Sequence, residues 1–86
     1  MKGKTIMKSE LSVIGTCQAV QLAAMDVLGD LTSNPDLLNV PCYKELVERM
    51  YMAARQAACV SRVLGDEKTS RFTDDICEKI LKLANL

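Results

Sequence analysis

The segment Tyr43–Leu64, YKELVERMYMAARQAACVSRVL, decides the fold class. Its apolar and small residues recur at helical spacing, first Leu46, Val47 and Met50, then Ala53, Ala54, Ala57, Ala58 and Ser61. A stripe of that period draws one face of an amphipathic helix, and the shift to small side chains lets a second helix approach closely. Pro41 suits the first helical position and Gly65 suits the left-handed stop, so the spacing predicts a helix over 41–64. At 1.5 Å per residue it spans roughly 35 Å.

Upstream, Val13, Cys17, Val20, Ala24, Val27 and Leu31 alternate spacings of four and three and predict a helix over 9–32. Ser9 is read as its N-cap, with Glu10 in the first turn. A second set, Leu11, Ile14, Leu22 and Met25, widens its apolar face, so this helix is expected to be buried on two sides. Ser33-Asn34-Pro35-Asp36 stops it, and a short turn through Leu37 and Leu38 leads to Pro41. The first two helices have similar lengths and are expected to lie antiparallel as a hairpin. That arrangement would bring Asp26 and Asp30 near Lys44 and Arg49, and Glu45 and Arg49 form an i,i+4 pair in the favourable order.

Downstream, Asp66–Arg71 reads as a polar loop. Thr73 is read as the cap of a third helix over 73–85, with Asp74 and Asp75 in its first turn and Lys79 and Lys82 near its end. Its stripe is Ile76, Cys77, Ile80, Leu83 and Ala84, with Phe72 as a staple from outside. No strand-like alternation or internal repeat occurs. The expected fold is all-α, a small three-helix bundle built on a long antiparallel hairpin. Residues 1–8 are expected to form a flexible basic tip bearing Lys2, Lys4 and Lys8, and 9–86 one helical domain.

Composition supports that choice. The chain has 86 residues, 49% of them hydrophobic but only two Tyr, one Phe and no Trp, so the core must be aliphatic. A domain this small buries only about 60 to 65% of the surface of its unfolded chain, which favours dimerisation. Eleven Lys plus Arg balance eleven Asp plus Glu, so whole-molecule charge selects neither nucleic acid nor an acidic membrane.

Chemistry-bearing motifs are sparse. There is no histidine, so the commonest general base is missing and a cysteine nucleophile lacks its usual activator. Cys17, Cys42, Cys59 and Cys77 are far apart without a Cys-x-x-Cys pair, and read as small hydrophobes rather than zinc ligands. The scattered glycines build no phosphate loop. No catalytic, metal or cofactor-binding residue is assigned, and no cofactor is expected. Lys2, Lys4 and Lys8 before the apolar run Leu11–Ala24 have the order of a signal peptide. Gln18 and Gln21 interrupt that run and Leu22-Ala23-Ala24 does not fit the cleavage pattern. Asp26 ends it short of a membrane span. The expected location is cytoplasmic.

Two binding surfaces remain. Met52, Cys59 and Val63 fall toward the outer side of the Tyr43–Leu64 helix, and Leu37, Leu38 and Val40 lie in the linker. Both are candidates for contact with a larger protein or assembly. Lys44, Arg49, Tyr51, Arg55 and Arg62 draw a basic edge with one aromatic, which would serve a helical nucleic-acid-binding transcriptional regulator. The first reading is preferred: a non-enzymatic interaction module, dimeric, acting as a small adaptor or inhibitor. Size and class suggest, by analogy, a phage or mobile-element inhibitor of a host system.

Overall fold

The computed structural model describes the backbone of residues 8–86 and the side chains from Leu11 onward. The tip expected over 1–8 lies, up to residue 7, outside the described residues. Three α-helices account for most of the rest: α1 (Lys8–Ser33), α2 (Pro41–Val63) and α3 (Glu67–Ala84). A 3-10 turn, Pro35–Asn39, links α1 to α2, and no strand occurs among the described residues. The fold is all-helical, as the periodicity requires.

The α2 boundaries follow from backbone chemistry. Val40, in extended conformation, precedes Pro41, whose missing N–H sits where a helix has no carbonyl to offer it. At the other end Gly65 adopts φ 88°, a left-handed conformation that glycine takes without a Cβ clash. The Gly65 N–H donates to the Arg62 carbonyl at 3.0 Å and the Asp66 N–H to the Ser61 carbonyl at 2.8 Å. Those two bonds make a Schellman closure. Asn85, at φ 58°, ends α3 in the same way, with the Leu86 N–H donating to the Leu81 carbonyl at 3.1 Å.

The start of α3 corrects the sequence expectation. Residues 67–71 are helical, and the cap is Asp66, whose Oδ1 accepts from the Thr69 N–H at 3.2 Å. Asp66 thus closes α2 and opens α3, and the two helices are joined with almost no loop. Thr73 is not a cap but a fully buried residue inside α3, and Phe72 lies in the helix with its ring half exposed. Asp74 and Asp75 sit in mid-helix, where each pairs with a cation: Arg62–Asp74 at 2.8 Å and Lys79–Asp75 at 3.2 Å. Ser70 and Thr73 look like loop residues by composition, yet they continue the stripe of Ile76, Cys77, Ile80 and Ala84 toward the turn. Their hydroxyls are small enough to sit in a close helix–helix contact. The Thr73 Oγ1–H is satisfied by the Thr69 carbonyl at 2.7 Å, whereas Ser70 Oγ is buried without a partner.

The core joins all three helices. Ala24, Val27 and Leu31 of α1 meet Val47 and Ala54 of α2 and Ile76, Cys77, Ile80 and Ala84 of α3. Leu31, Ile80 and Val47 are its largest fully buried apolar side chains. The contact between α2 and α3 is the most extensive, and Ala54, Ala57, Ala58 and Ser61 are all buried. Leu46, expected in this stripe, is exposed because it lies beside the Val47–Met50–Ala54 line rather than on it.

α1 also differs from expectation. Only one face is buried, through Cys17, Ala24, Val27 and Leu31, with Val20 and Leu28 packed partly against the core. Leu11, Leu22 and Met25 are 55%, 61% and 39% exposed while Ile14 is half-buried, so most of the second face has no cover among the described residues. Ser9 lies inside the helix, which is already formed at Lys8, and does not cap it. The salt links expected between Asp26 or Asp30 and Lys44 or Arg49 are absent among the described residues, as is a Glu45–Arg49 pair. Asp30 instead accepts a long hydrogen bond, 3.5 Å, from the Tyr43 hydroxyl.

The buried hydroxyls make an opposing pair of expectations. Ser70→Ala removes an unsatisfied donor and improves helix propensity, so it should stabilise by about 1 kcal/mol. Ala58→Leu forces extra methylenes into the closest contact and should destabilise by about 1–3 kcal/mol. Urea denaturation distinguishes these outcomes; a Ser70→Ala protein less stable than the parent would contradict this account of the α2–α3 contact.

Candidate interaction surfaces

α2 presents two different outer edges. Met52, Gln56, Cys59 and Val63 follow one another at spacings of four and three along its solvent side, and all are exposed. Met52 is 60% and Val63 79% exposed, high values for apolar residues of a folded helix. Helix geometry is what aligns them. With Val47, Ala54, Ala57, Ala58 and Ser61 turned inward, positions 52, 59 and 63 must turn away. Val60 is exposed beside this line. The linker residues behave differently from one another: Leu38 packs against the core and Leu37 is half-buried, leaving Val40 as the exposed apolar side chain there.

The basic edge is engaged within the chain. Arg62 Nη2–H donates to Asp74 Oδ2, and Arg55 Nη1–H donates to the Tyr51 hydroxyl at 3.2 Å with its guanidinium carbon 5.9 Å from the Tyr51 ring centre. Tyr51, Arg55, Asp74, Cys77, Glu78 and Leu81 together line a shallow hollow of about 260 Å³ between α2 and α3. Two of those six residues are acids, and Glu48 is exposed near the same edge of α2. A phosphate approaching Arg55 would also meet Asp74 and Glu78. Lys44 and Arg49 are exposed nearer the start of the helix.

The cysteines divide into two kinds. Cys17 and Cys77 are buried and Cys42 and Cys59 exposed, all four as free thiols. Burial, with the Asp74 carboxylate adding to it, pushes the Cys77 thiol up, while Arg55 pulls the other way. Burial and then the Asp30 charge and hydrogen bond raise the Tyr43 phenol above its ordinary range. Among the described residues no three Cys, Asp or Glu side chains converge to hold a metal ion.

A further surface was not recognised in the sequence. The outer face of α1, with Leu11, Leu22 and Met25, borders a groove of about 400 Å³ between α1 and α3 whose apolar lining is Met25, Leu28, Phe72 and Ile76. Its signal in the sequence is the second apolar set of α1, whose periodicity does not tell burial within the chain from burial against another. By length and composition alone, Leu11–Ser33 is also apolar enough to cross a membrane, Asp26 and Asp30 within it notwithstanding, and most of the segment is not buried.

These features define an all-helical protein with exposed apolar strips on two of its three helices. No protein family, characterised protein or solved structure matches this chain.

Thiol labelling checks the burial pattern directly. Under native conditions Cys42 and Cys59 should react with a thiol reagent within a short pulse, and Cys17 and Cys77 only after denaturation. Four equally fast sites in the native protein would contradict the packing of α1 and α3.

Proposed function

We propose that this chain is a non-enzymatic interaction module, a small adaptor or inhibitor that docks on a larger protein or assembly in the cytoplasm. Its unit is a homodimer of bundles, each built on the α1–α2 hairpin. The observation that carries the reading is the strip of Met52, Cys59 and Val63, apolar and exposed on the outer side of α2. Exposed apolar strips of this kind are costly to leave wet and are commonly sites of association. Methionine adds conformational adaptability to such a surface. Val40, exposed at the start of the same helix, extends the apolar contact toward the linker. A phage or mobile-element inhibitor of a host system fits the size and class by analogy.

A nucleic-acid-binding regulator using Lys44, Arg49, Tyr51, Arg55 and Arg62 is the second reading. It is disfavoured by the acids Asp74 and Glu78 beside Arg55, and by the pairing of Arg62 with Asp74. If it were correct, binding to duplex DNA would weaken steeply with salt as phosphate counterions are released.

Met52→Asp and Val63→Asp test the first reading. Both positions are exposed, so helicity and unfolding midpoint should change little, while capture of the partner from the native host should fall by more than about tenfold, or about 1.4 kcal/mol. Undiminished capture by both folded variants would remove this surface from the proposal.

A further inference from the structure

The uncovered face of α1 is built to match itself. Positions 11, 15, 18, 22, 25 and 29 fall within an arc of about 80° on the helix, at 100° per residue. They read Leu11, Gly15, Gln18, Leu22, Met25 and Gly29. Large and small residues are therefore distributed along one strip, and all six are exposed. A Cβ added at Gly15 or at Gly29 would meet nothing within 4 Å in the single chain. Neither glycine is required for packing inside the bundle, and each costs about 1 kcal/mol relative to Ala in a helix. That cost has no intramolecular return.

Antiparallel pairing of this strip with a second copy gives it one. In a two-fold interface residue i meets j and j meets i, so facing positions have a constant sum. When Leu11 faces Gly29 of the second copy, Gly15 faces its Met25 and Gln18 faces its Leu22. Large thus meets small at four of the six positions, and the polar Gln18 is the strip's exception. The floor at Gly29 is also the edge of the α1–α3 groove, where Met25, Leu28 and Phe72 surround the space a Leu11 side chain would enter. Thr32, on the same rim, has its hydroxyl satisfied by the Leu28 carbonyl at 2.8 Å, so covering it leaves no donor stranded.

Charge placement agrees with the same pairing. On the helix wheel, position 8 lies on the flank that carries Asp26 and Asp30, and in an antiparallel pair equal flanks face each other. The Lys8 position of one copy then lies within one turn of Asp30 of the other. A parallel pair would instead set the Asp26–Asp30 flank of one copy against the opposite flank of the other, away from its Lys8 position. Those two acids also disfavour insertion of α1 across a bilayer, where each would carry a penalty of several kcal/mol.

We propose that the chain forms a two-fold dimer through antiparallel α1 helices, with Leu11 of each copy seated over Gly29 of the other in the α1–α3 groove. This deepens the dimer within the function proposed above but does not use Met52, Cys59 or Val63, so capture of a larger partner and self-association can fail separately.

Analytical ultracentrifugation across a hundredfold concentration range tests it. The parent chain should pass from monomer to dimer. Gly29→Leu should fold at least as stably, because it improves helix propensity at an open position, yet raise the dimer Kd by more than about tenfold. Leu22→Asp, at an exposed position, should do the same. The exchange Leu11→Gly with Gly29→Leu restores one large and one small residue at each contact and should recover association that Gly29→Leu alone loses. A parent chain that stays monomeric, a dimer unaffected by Gly29→Leu and Leu22→Asp, or an exchange that recovers nothing would overturn the proposal. Flotation of the monomer with phosphatidylcholine–phosphatidylglycerol vesicles, in place of dimerisation, would also overturn it and assign the face to lipid.

Discussion

The close contact between α2 and α3 is the constraint on which the rest of the molecule depends. Gly65 and Asp66 reverse the chain within a turn, one supplying the left-handed residue and the other both a main-chain closure and a side-chain cap. After the reversal α2 and α3 share the most extensive contact in the molecule, and the residues buried on them include Ala54, Ala57, Ala58 and Ser61 of α2 and Ser70, Thr73 and Cys77 of α3. Small residues on both sides bring the helices together, at the expense of apolar volume in that contact. The larger buried side chains, Leu31, Val47 and Ile80, gather instead where α1 joins the pair. α1 is consequently needed to complete the core, yet it contributes only one narrow face to it.

That economy explains the surface. A helix as apolar as α1 would be expected to bury most of its circumference in a larger protein, but two partner helices of this size cover only the Cys17–Ala24–Val27–Leu31 side. The face opposite the core is left with Leu11, Leu22 and Met25. On α2 the exposed Met52 and Val63 form a second uncovered apolar surface, distinct from that face. Self-association through α1 would leave the outer strip of α2 free for a different protein. The basic edge does not offer a third surface of comparable clarity, because Arg62 and Arg55 are occupied by Asp74 and Tyr51.

Much of this was legible in the sequence where local chemistry and periodicity agree. The ends of α2 follow from Pro41 and Gly65, and the buried stripe of α1 follows from the alternating spacing of Cys17, Ala24, Val27 and Leu31, with Val20 half-buried; Val13, in the same series, is exposed beyond the reach of the partner helices. The start of α3 is not legible from composition, because Ser70 reads as part of a polar loop over 66–71 and Thr73, followed by two acids, reads as a helix cap. Their burial is a tertiary effect: hydroxyl-sized side chains fit where two helices nearly touch. The pairing of Asp66 with Gly65, a stop followed at once by a cap, was the local signal that outweighed composition. The exposed face of α1 is illegible for a related reason. Periodicity identifies apolar faces, but whether a face is covered by the same chain depends on how many helices surround it. The candidate strip Met52, Cys59 and Val63 could be read because a helix wheel with a known inner side fixes its outer one; Leu38 could not, since a linker has no period.

The central claim is that α1 holds the core with one face and is left open to association on the other. Amide hydrogen exchange followed peptide by peptide, at low and high protein concentration, tests it most directly. The α2–α3 turn around Gly65 should be equally protected at both concentrations, while Leu11–Gly29 should gain protection as concentration rises. Exchange of Leu11–Gly29 that is identical at both concentrations would contradict the account, because association would then add nothing to the protection of that helix.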